Sequence, residues 1–182
     1  LAGLWPFLRA LGVRSRADIG LAFGPGWWRN LGKGFVLGFA SLALFILVAL
    51  AAGARSWDSE RTGAQIVHHL LNAGLSAAVV AVLEEVVFRG GIFGGLKRAY
   101  GLAWGLAISS AVFGLLHFLA SPELSHAVDW TSGLEALPGM LAGLGDIQRL
   151  VPGLFNLVLV GLLLALAFHR SGTLPAAIGL HA

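Results

Sequence analysis

Residues 82–91 read VLEEVVFRGG, preceded by NAGLSAAVVA and followed by IFGGL. Two adjacent carboxylates, Glu84 and Glu85, and the cation Arg89 thus interrupt a run that is otherwise apolar. Two imidazoles stand in similar surroundings. His117 ends LAWGLAISSAVFGLLH, and His181 ends TLPAAIGLH. Spacing separates the roles of the charges. Glu85 and Arg89 are i, i+4 on a helix, the separation at which opposite charges pair. An arginine held by one carboxylate keeps donors for neighbouring backbone or side chains. Glu84 points about 100° away from that face and is not neutralised by the pair. A carboxylate facing two imidazoles in a low-dielectric cleft is an arrangement for activating water, as a general base or beside a metal.

The elements that must position these groups are set by composition. Of 182 residues, 57% are hydrophobic and 12% charged, and the mean hydropathy is +0.83. Soluble domains carry roughly 25% charged residues. The run GKGFVLGFASLALFILVALAAGA, residues 32–54, has no charge after Lys33 and is long enough to cross a hydrocarbon layer about 30 Å thick. Lipid is the solvent, and helices satisfy their own backbone groups there. The expected fold is all-α, a polytopic transmembrane helical bundle. The chain has no cysteine, which excludes disulfides, thiolate metal sites and a thiol nucleophile. A formal charge of +3, scattered along the chain, argues against nucleic-acid binding; membrane lipid is the partner the composition calls for.

About five spans are expected. Residues 1–32 read as an N-terminal interfacial segment, with Trp27 and Trp28 placed for an aromatic belt. Residues 33–182 read as one membrane-embedded domain. Its spans are residues 33–54, 64–96, 102–120, 152–168 and a last helix from Leu174 in which the sequence stops. Thr62 and Gln65 have the spacing of a capping box, which opens the second span near Gly63. Gly90, Gly91, Gly94 and Gly95 form two overlapping small-xxx-small pairs, the pattern of a helix end packed closely on a neighbour. Ser121 and Pro122 suit a cap and first turn in the polar connector that follows the third span. His68 and His69 read as surface residues, and His126 and His169 as solvated loop residues.

Within the spans the ionisable residues are Glu84, Glu85, Arg89, His117 and His181. Each is costly at the bilayer centre unless partnered, so each is a functional candidate. Glu84 lies 13 residues before Lys97, about 20 Å of helix; His117 lies 15 beyond Leu102, about 22 Å; His181 lies 11 beyond Arg170, about 16 Å. Three helices therefore bring a glutamate and two histidines to a similar depth, as a shared site requires.

EEVVFR resembles the E-E-x-x-x-R motif of the CAAX prenyl protease and bacteriocin-processing (CPBP, Abi) family of intramembrane proteases. FGLLH, from Phe113 to His117, resembles that family's F-x-x-x-H motif. VGLLLALAFHRSGTLPAAIGLHA, residues 160–182, is similar to its later motifs, a Gly/Leu-rich helix, a short turn and a helix bearing histidine. The likeness covers about residues 75–182. It implies an integral membrane protein, in a bacterial plasma (inner) membrane, that cleaves a membrane-associated peptide or protein, including prenylated CAAX-type substrates. It implies that Glu84 activates the attacking water, that His117 and His181 belong to the catalytic centre, and that Glu85, Arg89 and Phe113 support it. It also implies an Asn or Asp four residues after His181, a position this sequence does not reach. Glu84, His117 and His181 could ligate zinc, or serve as base and oxyanion donors without a metal.

Two other classes use similar residues. A non-catalytic scaffold or bacteriocin self-immunity protein keeps such a fold with a decayed site, whereas every visible catalytic position is filled here. A proton-coupled transporter also buries Glu, Arg and His near the midplane, but it is built from paired repeats, and none is discernible in this sequence.

Loop charges orient the chain. Arg9, Arg14, Arg16, Arg29 and Lys33 precede the first span, Lys97 and Arg98 follow the second, and Arg170 follows the fourth, whereas residues 121–150 are acidic. The positive-inside rule places the first three groups in the cytoplasm. In this cysteine-free chain, Ser125→Cys should label with an impermeant thiol reagent in intact cells and Tyr100→Cys should not. The opposite pattern would invert the topology.

Overall fold

A computed structural model describes residues 3–57, 61–120, 129 and 131–182. Ser121, Pro122, Ser125 and His126 lie outside the described residues. The elements are α1 (Leu4–Ala10), α2 (Trp27–Ala51), α3 (Gly63–Glu84), a π-helical segment (Glu85–Phe93), α4 (Gly94–Tyr100), α5 (Leu102–Leu116), α6 (Ser132–Leu141), a 3₁₀ turn (Ala142–Gly145), α7 (Ile147–Ser171) and α8 (Leu174–His181). No strand occurs among the described residues. The fold is an all-α polytopic bundle.

Three helices are long and apolar enough to cross a membrane: Trp27–Ala51, the continuous Gly63–Tyr100 and Ile147–Ser171. Their outer faces expose large apolar side chains such as Phe39, Phe45, Leu70, Leu75, Phe155 and Leu163, a surface that only lipid solvates well. The five expected spans thus resolve unequally. α5 is apolar but has only 15 residues, and α8 starts at Leu174 as expected. α5 stops at His117 instead of running to residue 120. The chain tightens there, with Phe118 N–H donating to Leu115 O, and turns back so that Ala120 N–H donates to Met140 O.

The capping box forms as its spacing predicts. Gln65 N–H donates to Thr62 Oγ1, and Thr62 N–H donates to Gln65 Oε1. The glycine cluster packs closely as expected, mainly against the N-terminal segment. A Cβ at Gly90 would lie 2.8 Å from Ile19 Cβ, and one at Gly91 would lie 2.9 Å from Leu8 Cδ2. Leu8, Val13 and Ile19 are buried in one cluster with Ala81, Val86, Leu174 and Ile178. Residues 4–21 therefore form part of the core. Asp18 shapes the approach to Ile19 by accepting 2.8 Å bonds from the N–H groups of Arg14 and Ser15, which hold its carboxyl below the ordinary value. Arg98 Nη2 donates to Leu11 O at 2.9 Å, and Leu174 N–H to Gly20 O at 3.0 Å. These bonds tie the segment to α4 and α8.

α5 and α7 approach through small residues: a Cβ at Gly161 would meet Ser110 at 3.0 Å. Arg89 crosses to the same point, and its Nη2 donates to Gly161 O at 3.4 Å. Its Nη1 lies 3.0 Å from Glu85 Oε1, with side-chain exposures of 2% and 0%. This is a charge pair whose N–H is not aligned as a hydrogen bond. Burial is so complete that neither charge has water to fall back on. Arg89→Ala should lower stability by about 3–5 kcal/mol, the cost of leaving one member of a buried pair. Thermal unfolding in detergent measures it, and an unchanged midpoint would mean the pair contributes little.

Candidate active site

Glu84 is the last residue of α3 and Glu85 the first of the π segment. Both residues keep α-helical dihedrals, and the two carboxylates reach the same imidazole. Glu85 Oε1 lies 2.8 Å from His181 Nδ1, and Glu84 Oε2 lies 3.8 Å from Nε2 of the same ring. Glu85 therefore does more than the expected pairing with Arg89: it joins α8 to the π segment.

His117 follows α5 directly. Its Nδ1 lies 2.8 Å from Phe113 O, and because a carbonyl only accepts, Nδ1 carries the hydrogen. Nε2 then faces outward, 3.8 Å from Glu84 Oε2. The same logic applies to His181, whose Nδ1–H donates to Glu85. Both rings thus present Nε2 to one carboxylate oxygen. That oxygen is buried and has no hydrogen-bond partner among the described residues, although the Glu84 side chain as a whole is 25% exposed and that of His117 33%. The site is open on one side.

Phe113 is fully buried at the centre of the packing. The Arg89 guanidinium lies 4.3 Å from its ring centroid, a cation–π distance. The rings of Phe88, His117 and His181 surround it at 5.1, 4.5 and 6.2 Å. All six residues expected in or beside the site, Glu84, Glu85, Arg89, Phe113, His117 and His181, are brought together. His68 and His69 are exposed on α3, as expected. His169 differs from the expectation. It lies in the last turn of α7, part-buried, with Nδ1 3.1 Å from Lys97 Nζ.

The donor types suit zinc, and each imidazole has its other nitrogen fixed by a hydrogen bond, as metal-bound histidines do. The spacing does not match. Zinc with bonds of about 2.0–2.1 Å holds tetrahedral ligand atoms about 3.4 Å apart, and both separations measured to Glu84 are 3.8 Å. Among the described residues no group of three or more His, Asp or Glu side chains is arranged to hold a metal ion.

Two cavities flank the site. One, about 750 Å³, lies between α2, α3 and α8 and is lined by apolar groups including Trp27, Leu31, Phe35, Val82 and Ile178, reaching Ala182 beside His181. The other, about 580 Å³, contains His117, Asp146 and Arg149. Sequence reasoning assigned Trp27 to a headgroup belt and did not single out Arg149. The only signal for the latter was a lone cation in an acidic connector.

Neither a curated protein nor a solved structure matches the chain. Among protein families, residues 65–182 match the one described as type II CAAX prenyl endopeptidase Rce1-like. That match covers more than half of the chain and includes every residue of the Glu–His cluster, so this integral membrane protein belongs to the Rce1-like type II CAAX prenyl endopeptidase family.

Proposed function

We propose that the protein hydrolyses a peptide bond near the C-terminus of a prenylated, membrane-associated substrate, with Glu84 as the general base. The observation that carries this reading is Glu84 Oε2, buried, without a hydrogen-bond partner among the described residues and 3.8 Å from Nε2 of both His117 and His181. Two acceptors at that separation are too far apart to bond directly but can each accept from one water at about 2.8 Å. A water between Glu84 and His117 would donate one hydrogen to each and turn a lone pair toward an incoming carbonyl.

In the reaction Glu84 takes a proton from this water while its oxygen bonds to the carbonyl carbon. The carbonyl oxygen becomes an oxyanion facing His181, which donates to it from Nε2 when the ring carries hydrogens on both nitrogens. Glu85 fixes the ring by accepting from Nδ1–H. Collapse breaks the C–N bond, and Glu84 passes its proton to the departing amine. No step runs through a metal. A zinc ion bound here would be held by Glu84, His117 and His181 and would act as a Lewis acid.

The cavities support a lipidated substrate. The apolar one, about 750 Å³, falls within the about 300–1,000 Å³ of sites that enclose small ligands, a class that includes an isoprenoid chain. The peptide would then cross Glu84 toward the polar cavity. The membrane is read as a bacterial plasma membrane, with the basic loops on its cytoplasmic side.

Glu84→Gln should reduce cleavage of a prenylated CAAX peptide by about 10²–10⁴-fold, with little change in thermal midpoint. Full activity in that variant would remove Glu84 from the mechanism, and an inactive wild-type protein would favour a non-catalytic scaffold. Dialysis against a chelator should leave the wild-type rate unchanged. Loss of activity that zinc restores would instead make the two histidines ligands.

A further inference from the structure

We infer that Arg149 binds the terminal carboxylate of the substrate, and that the cavity beside His117 holds the short peptide between that carboxylate and the cleaved bond. The inference rests on the hydrolase reading of Glu84, His117 and His181 and specifies the substrate that this site takes. The cavity of about 580 Å³ runs from His117 through Phe118, Leu119 and Ala120 to Gly143, Asp146 and Arg149. A space of that volume is on the order of 8 Å across, which admits about two extended residues at about 3.3–3.6 Å each.

Its two charges are unequally engaged. Asp146 caps α7, with Oδ1 accepting from Arg149 N–H at 3.2 Å, so this carboxylate is turned onto the backbone. Among the described residues, no ion pair engages the Arg149 guanidinium. Arg149 also sits in the first turn of α7, whose positive end favours an anion. A guanidinium presents a planar fork of donors that matches a carboxylate. By contrast, the cavity on the other side of the site is lined without any charged side chain. The two spaces therefore ask for one molecule that is apolar at one end and anionic at the other, with the reacting bond between them. A lipidated peptide ending a few residues after the bond meets that description.

The test compares a prenylated CAAX peptide as the free acid with the same peptide as its C-terminal amide, using the full chain in detergent. The wild type should cleave the free acid with a kcat/KM about 10–100-fold higher, the range expected for a charge-assisted contact, and the difference should lie mostly in KM. Arg149→Gln should bring the ratio close to one by weakening only the free acid, and Arg149→Lys should restore part of it. The thermal midpoint of both variants should match the wild type. Equal cleavage of the two peptides by the wild type, or an undiminished preference in Arg149→Gln, would overturn the role of Arg149 and leave the hydrolase reading intact. Cleavage of neither peptide by the wild type would overturn the hydrolase reading, and the inference with it.

Discussion

A single buried carboxylate, that of Glu85, is the point on which the rest of the structure converges. It is entirely removed from solvent and is shared between the Arg89 guanidinium and His181 Nδ1–H. Burying such an ion costs several kcal/mol unless good partners offset it. Here the partners come from its own helix and from α8, and Arg89 reaches on to a backbone carbonyl of α7. Desolvation thus becomes a geometric constraint: the carboxylate is tolerated only when these helices occupy their places. Once they do, His181 is held in one tautomer and Glu84, the next residue along, is set against it.

Much of this was legible in the sequence, because lipid makes every charge conspicuous. The Glu85–Arg89 pair and the common depth of Glu84, His117 and His181 followed from helical spacing alone, and the Thr62–Gln65 box from a local hydrogen-bond rule. What was not legible depends on packing between distant segments. Nothing in EVVFRGGIF identifies a π-helix, since its wider turn depends on what the flanking helices gain by the altered register. The second contact of Glu85 was hidden for the same reason. The glycines at 90 and 91 announced close packing but not the partner, which lies some seventy to eighty residues away in Leu8 and Ile19. His169 looked like a loop residue because its helix outlasts its apolar stretch. The Arg149 cavity brings the end of α5 beside the start of α7, a meeting that no periodicity encodes.

The short α5 has a bearing on how hydrolysis could proceed in a lipid-solvated protein. Irregular backbone is tolerated at membrane depth only where protein covers it or water reaches it. By ending at His117, α5 places an imidazole where helix gives way to turn, next to a polar cavity. The apolar cavity, on the α2 side, reaches Ala182 beside His181. A site between the two has a wet approach and a dry one, and a general base needs the first while an apolar chain is best accommodated by the second.

The placement of His181 depends finally on atoms that take no part in the chemistry. α8 lies along α2. A Cβ at Gly34 would collide with Ala176 O, one at Gly38 with Leu180 O, and one at Gly179 with Leu31 O. The two helices therefore meet backbone to backbone, with no layer of side chains between them to rearrange. Such a contact has almost no soft degrees of freedom, so it works as a fixed bearing surface for the helix carrying the imidazole. The precision of the Glu–His cluster is thereby encoded partly as the absence of side chains on a neighbouring helix, at positions that a search for reactive groups would pass over.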